Sequence, residues 1–379
     1  MKINLTNVFP PKILFSDDKP CVSIYMTTHR SSPDNEQDPI RFKNLLKEIE
    51  KSLDNYYKTD KEKFMKPLYD VLNDEAFWKN RTESLVILMN ENEGVMYELN
   101  REVKELAVVS DEYHIKPLIR NYQSYDKYYA LGLSQKNFKL FEGTRYYFQE
   151  VNLDEDVITE RTELLGDDVG GKVLNFGTYK GTGTSFHGHN TKNEEISKDI
   201  EKFFRYVDEF VMKNYTQVDN LPLILVSVTE NQGYFRNISK NPNLLDKGII
   251  KSYESMDINE LTKEVWKVIE PMYLDKTKKL IDRFKNAQAK DLASEDLLQI
   301  AHALEEGKVD TLIVEADRVI PGFYNGVNKR IEAGDVKHHV LGDLINQFAK
   351  MAMLHKGNVI VLPKDRFPTK TGCAAIYRY

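Results

Sequence analysis

Leu223-Ile224-Leu225-Val226-Ser227-Val228 is a continuous apolar run that follows a helical pattern, and it reads as a strand covered on both faces of its sheet. Upstream, a helix is predicted over residues 193 to 213, with Ile196, Ile200, Phe203, Phe204, Val207, Phe210 and Val211 as its buried stripe. Earlier still, residues 128 to 133 and 138 to 142 flank the turn Ser134-Gln135-Lys136-Asn137 and read as a hairpin. Hairpin, helix and buried strand together specify an α/β unit.

Between the hairpin and the helix lie an acidic stretch, residues 154 to 171, and the segment Gly181-Thr182-Gly183-Thr184-Ser185-Phe186-His187-Gly188-His189-Asn190. Three glycines and no large aliphatic side chain leave that segment unable to bury enough apolar surface to order itself. It is predicted to project from the domain as a finger, and an exposed finger implies a partner.

Sheet and helix patterns also extend to both ends of the chain. Residues 21 to 29 alternate as a strand, and Asp38-Pro39 reads as an N-cap with proline in the first turn. The helix that follows carries Phe42, Leu45, Leu46, Ile49 and Leu53 on one face. A second helix is expected around residues 61 to 73, and a hairpin over 85 to 89 and 95 to 99. Beyond the buried run, a helical pattern from 258 to about 289 contains Pro271, where an interruption or kink is expected. Ser294 reads as the cap of a helix bearing Leu297, Leu298, Ala301 and Leu304, and Gly307 as its stop. A strand over 309 to 315, a helix over 335 to 356 stopped by Gly357, and strands over 358 to 362 and 373 to 377 complete the reading. Three α/β domains are expected, over residues 1–121, 122–272 and 273–379.

Composition narrows the function classes. The 379 residues are 41% hydrophobic and 30% charged, enough for more than one core of a soluble globular protein. Met1-Lys2-Ile3-Asn4-Leu5 lacks a signal-peptide core, and no apolar run nears the roughly 20 residues that cross a bilayer, so no membrane partner is expected. Cys21 and Cys373 sit in strand-like settings far apart in sequence, which suits packing and a cytoplasmic location. A net charge of −6 gives no global drive toward nucleic acid; DNA is not expected, and any RNA contact has to be local. Lys276, Lys278, Lys279, Arg283 and Lys285 do cluster, but alternating charges on a helix more commonly make a solvated face.

The order of elements then resembles a known family. Glu306-Gly307-Lys308-Val309-Asp310-Thr311-Leu312-Ile313-Val314 and the closing Gly372-Cys373-Ala374-Ala375-Ile376-Tyr377-Arg378-Tyr379 look like the C-terminal domain of archaeal and eukaryotic class I release factors and of Pelota. Hairpin, extended loop and long helix look like the release-factor middle domain. Residues 20 to 25, Thr28-His29-Arg30 and Gln37-Asp38-Pro39-Ile40-Arg41 are similar to the bacterial archaeo-eukaryotic release-factor-like proteins. The resemblance implies an RNase H-like middle domain and a C-terminal α/β sandwich like the kink-turn-binding ribosomal proteins. It also implies a ribosome or tRNA partner, with a translational GTPase at the C-terminal domain and a role in rescue, hibernation or surveillance.

The departure from that family lies at the fingertip. Release factors carry Gly-Gly-Gln there, whereas this chain has Phe186-His187-Gly188-His189-Asn190. Gly183, Thr184, Phe186, His187, Gly188, His189 and Asn190 are candidate RNA-contacting residues, because glycines permit close approach to the backbone and imidazoles donate to or stack on bases. Alternatively His187 or His189 serves as a general base in a peptidyl-tRNA or phosphodiester hydrolase. A merely polar loop, or a non-ribosomal scaffold built on the C-terminal sandwich, is the plainer alternative. His187 and His189 also have the form of a metal pair, but a third ligand of matching spacing is lacking, so no metal is expected.

His29, Arg30 and Arg41 form a second constellation. Placed at a strand end and a helix start they suit an anion site; the structural alternative is that Asp38 or another carboxylate pairs with the arginines and pins the loop. No Walker-type phosphate loop and no Gly-x-Ser-x-Gly occur, and no cofactor is implied. The codon-reading motif Asn-Ile-Lys-Ser is likewise missing.

Overall fold

The computed structural model describes residues 2–30, 32–79, 81–99, 102–123, 127–145, 147–165, 188–334 and 342–379, with side chains from 196 onward in the helix that begins at Gly188. The chain divides into two compact units, one of residues 1–123 and 276–379, the other of residues 124–275. Both are α/β.

The first unit opens with β1 (Ile3–Leu5), β2 (Cys21–Thr27), β3 (Ser84–Met89), β4 (Gly94–Leu99) and β5 (Leu106–Ser110), ordered β1-β4-β3-β2-β5. β1 pairs in parallel with β4, and the other pairings are antiparallel. Strand alternation assigns the two faces. Val22, Ile24, Met26, Leu85 and Ile87 pack on α1 (Asp38–Tyr56) and α2 (Lys61–Leu72) through Phe42, Leu46, Ile49, Phe64 and Leu68. Tyr25, Val86, Leu88 and Tyr97 join the opposite core. A short helix, α3 (Glu75–Lys79), seats Trp78 on Phe42, and α4 (Lys116–Tyr122) adds Leu118 and Ile119 to that opposite core.

In the second unit β6 (Tyr128–Leu133), β7 (Phe138–Gly143) and β8 (Phe148–Glu150) form an antiparallel meander. Beside β6 lie β9 (Leu223–Ser227) and β10 (Ile249–Ile250), both parallel, in the order β10-β9-β6-β7-β8. As expected for its apolar run, β9 is buried throughout; Val228 falls outside it, exposed, as the residue before α8 (Thr229–Ile238). Leu223 and Leu225 face α6 (Gly188–Val211), while Ile224 and Val226 face the start of α9 (Ile258–Gln288) through Leu261, Val265 and Ile269. α5 (Arg161–Leu165) packs on α6, whose end passes through a π-helical turn into α7 (Gln217–Asp219). Pro271 sits inside α9, which runs on without the predicted interruption.

The rest of the first unit is a four-stranded sheet of β11 (Ala293–Ser294), β12 (Val309–Glu315), β15 (Asn358–Leu362) and β16 (Cys373–Tyr377), ordered β11-β16-β12-β15. A separate hairpin, β13 (Gly322–Asn325) with β14 (Arg330–Ala333), is inserted between them. α10 (Leu297–Glu305) and α11 (Leu344–Leu354) cover the sheet.

Three expected helix boundaries around the C-terminal sheet move, each for a local reason. Asp296, not Ser294, caps α10 by accepting from the Gln299 amide at 2.8 Å, because Ser294 is drawn into β11. α11 starts at Leu344 behind the Asp343 cap, and residues 335 to 341 of its expected span lie outside the described residues. Lys356 rather than Gly357 takes the left-handed backbone that ends it, at φ 58°, and the Gly357 amide returns to Ala352 O at 2.8 Å. Gly307 does occupy the left-handed region, at φ 68°. Cys21 and Cys373 are free, buried thiols, and burial pushes Cys21 up to about 12. No described helix is long and apolar enough to cross a membrane.

A buried polar network ties α4 to α11 inside the first unit. Lys116 Nζ is 2.6 Å from Asp343 Oδ2 and also donates to Arg318 O; both partners of the ion pair are buried. Asn346 Oδ1 accepts from the Ile115 and Lys116 amides at 2.9 and 3.2 Å, and its Nδ2 lies 3.1 Å from His114 Nδ1. Desolvation, with the Lys116 charge adding to it, pushes the His114 imidazole down to about 4. Removal of one partner strands the other charge without water, so Lys116→Met is expected to lower unfolding free energy by about 3 kcal/mol or more in urea titrations. His114 is neutral in the fold, whereas its unfolded form takes up a proton below about pH 6.5. Its contribution is therefore complete above pH 6.5 and lost as pH falls toward 4. His114→Asn is expected to flatten the acid limb of the stability profile by up to about 3 kcal/mol.

Candidate RNA-contacting site

α6 is the element that carries the fingertip sequence. Phe203, Phe204, Val207 and Val211 repeat at helical spacing and are fully buried, whereas Ile196, predicted to extend the same stripe, is 48% exposed. Among the described side chains of α6, buried Asp208 accepts from Ser239 Oγ at 2.5 Å and the Lys240 amide at 2.7 Å, and Tyr206 Oη accepts from the Ile158 amide at 3.2 Å. Tyr234 Oη reaches Glu201 Oε2 at 3.0 Å and Ser197 O at 3.4 Å. Arg205 donates to Glu201 from Nε and Nη2 at 3.0 and 2.8 Å.

Gly188, His189 and Asn190 form the first turn of α6, which begins at Gly188 rather than near residue 193. Gly183, Thr184, Phe186 and His187 lie outside the described residues, as do the side chains of His189 and Asn190. The helical start changes the chemistry open to this segment. The first amides of a helix have no carbonyl partner within it and sit at the positive end of the macrodipole. No acidic residue occupies that first turn, so nothing there opposes an anion such as a phosphate.

The second constellation is closed by carboxylates. Asp38 was predicted to cap α1, yet it is the first helical residue, and its fully buried carboxylate turns back to the strand end instead. Oδ2 accepts from the His29 amide at 2.8 Å, and Oδ1 lies 2.8 Å from His29 Nδ1 and 3.4 Å from Arg41 Nη1. Arg41 also pairs with Glu105, and Arg30 Nε lies 3.0 Å from Glu83. His29 and Arg41 thus come together on Asp38, and Arg30 pairs elsewhere. An incoming anion would compete with a resident carboxylate at each of them.

Sequence reasoning missed the Lys116–Asp343–Asn346–His114 network, whose members stand more than two hundred positions apart with no spacing signal. Asp343 carried a local one: an aspartate immediately before a helical apolar run, here Leu344-Ile345, reads as a cap.

Comparison with known proteins places the middle of the chain. Residues 126–271 match the model of bacterial archaeo-eukaryotic release factor family 6, so this part of the chain is release-factor-like, as the sequence suggested. No curated protein matches the chain. Among solved structures it is similar to the archaeal translation termination factor aRF1, at 15% identity over 96% of this chain and 93% of that one, TM-score 0.28. It is also similar to archaeal Pelota bound to the ribosome with ABCE1, at 13% identity over 78% and 77%, TM-score 0.42. For Dom34 of S. cerevisiae, a translation termination-like factor that interacts with Hbs1, the values are 13%, 78% and 73%, TM-score 0.37.

Because Asp38 has no exposure to water, its loss leaves the His29 amide and one side of Arg41 unpaired. Asp38→Ala is expected to cost about 2–3 kcal/mol in denaturant unfolding. Asp38→Asn, which keeps one acceptor, should cost less.

Proposed function

We propose that this chain is a translation-associated factor that engages the ribosome or tRNA through residues 181–192, acting in ribosome rescue, hibernation or surveillance. The reading rests chiefly on the family match over residues 126–271, which encloses the fingertip sequence. The start of α6 supports it: first-turn amides with no acidic residue among them suit a phosphate. Phe186, His187 and His189 add groups that stack on or donate to bases. The same reading gives the C-terminal sandwich a translational GTPase as partner.

Sedimentation of lysate through a sucrose gradient tests the first part. The chain is expected to travel with ribosomal particles, and Phe186→Ala with His187→Ala and His189→Ala to lower the bound fraction at least about tenfold, ~1.4 kcal/mol. A chain that stays at the top of the gradient at low salt overturns the reading.

A further inference from the structure

The five-stranded sheet of the first unit ends at β1. β1 pairs with β4 in parallel, and the Thr6 amide beyond it donates to Met96 O at 2.9 Å. Backbone groups alternate in direction along a strand, so Asn4 and Thr6 turn theirs toward β4, and Ile3 and Leu5 turn theirs away. Among the described residues nothing meets the outward amides and carbonyls of Ile3 and Leu5. Four strand-pairing groups therefore stand open on this edge.

The side chains of Ile3 and Leu5 share the face that packs on α2. Ile3 is 8% exposed and belongs to the core with α1 and α2, whereas Leu5, two residues on, is 61% exposed. A groove of about 630 Å³ borders residues 2 to 5, with Val71, Phe77 and Met96 as its apolar wall. It also holds three carboxylates, Asp70, Asp74 and Glu98, against two cations, Lys2 and Arg81. Arg81 pairs with Glu98 and lies 3.8 Å from the centroid of the Phe77 ring, with Asp74 also in its field. Asp74 accepts from the Phe77 amide at 2.9 Å, a bond that leaves its charge in place. Asp70 forms no ion pair among the described residues.

We propose that this edge receives an extended segment of a partner protein, added to the sheet beside β1, with apolar side chains in the groove and a lysine or arginine toward Asp70 and Asp74. The open edge supplies main-chain hydrogen bonds to a strand, and the groove reads its alternate side chains. A helix laid in the same groove would cover the four backbone groups without answering them. A second copy of this chain, paired β1 to β1 about a two-fold axis, would set Leu5 beside Leu5 but bring a second Asp70 and Asp74 to the same side of the sheet, like charge on like.

The test uses the full chain and the fluorescein-labelled heptapeptide Lys-Thr-Val-Thr-Val-Thr-Lys, with binding read by anisotropy. One face of that strand is lysine, valine, valine, lysine whichever way it runs. It is expected to bind at least about tenfold more tightly than the same peptide with glutamate for lysine, and Asp70→Asn with Asp74→Asn to erase the preference. Leu5→Ser is expected to weaken binding at least about tenfold with an unchanged melting curve, because Leu5 is exposed in the free chain. N-methylation of the two valines blocks antiparallel pairing with the Ile3 and Leu5 backbone, and N-methylation of the threonines blocks parallel pairing. At least one of the two is expected to abolish binding, and the one that does reports the strand direction. Equal binding of the glutamate peptide, or full binding of both N-methylated peptides, overturns the proposal, as does the absence of binding below about 1 mM. So does a concentration-dependent dimer in sedimentation velocity, abolished by Leu5→Ser, in a chain that binds neither peptide.

Discussion

The first unit depends on two strands that have no water-facing side. β2 and β3 send alternate residues into a core with α1 and α2 and into a second core shared with the C-terminal elements. Tyr25, Val86 and Leu88 meet, in one contiguous cluster, Ile300, Leu312 and Phe348, contributed from the far end of the chain. Taking either contribution away would expose one whole face of the sheet, and apolar area returned to water costs about 25 cal/mol per Å². The first 123 residues and the last 104 form one compact unit for that reason.

Polar groups inside that unit are tolerated only where they are answered. Lys116, Asp343 and Asn346 satisfy one another and the backbone around α4 and α11, and the Arg318 carbonyl takes a further Lys116 proton. Such a cluster adds little net stability over apolar packing, but it penalises any other register of α4 against α11. Asp38 acts in a similar way at the opposite face of the sheet. Its carboxylate is spent on His29 and Arg41 and leaves the end of β2 pinned to the start of α1.

The second unit follows a different logic, since its sheet is covered on one face by helices wholly its own, α6 and α8, and on the other by α9, which continues beyond it. β9 needs both: Leu223 and Leu225 meet α6, Ile224 and Val226 meet α9. α6 gives its C-terminal part to this core and leaves Ile196 exposed. α9 changes character along its length, from Leu261, Val265 and Ile269 against β9 to a cationic stripe near its end.

Local pattern by itself determined the elements whose signal is carried by neighbours in sequence. Period-2 and period-3.6 repeats marked β2, the 84–99 hairpin, α1, β9, β12 and β16, because each buries a face that its own spacing defines. Glycine at 307 announced its turn, as only a residue without Cβ enters the left-handed region freely. Tertiary structure decided whatever is set by distant partners. It made Asp38 a clamp for His29 instead of a helix cap, drew Ser294 into a strand, and freed Ile196 from a stripe that its spacing allowed. Burial and charge pairing depend on what stands across a gap in space, and that quantity has no period along the chain.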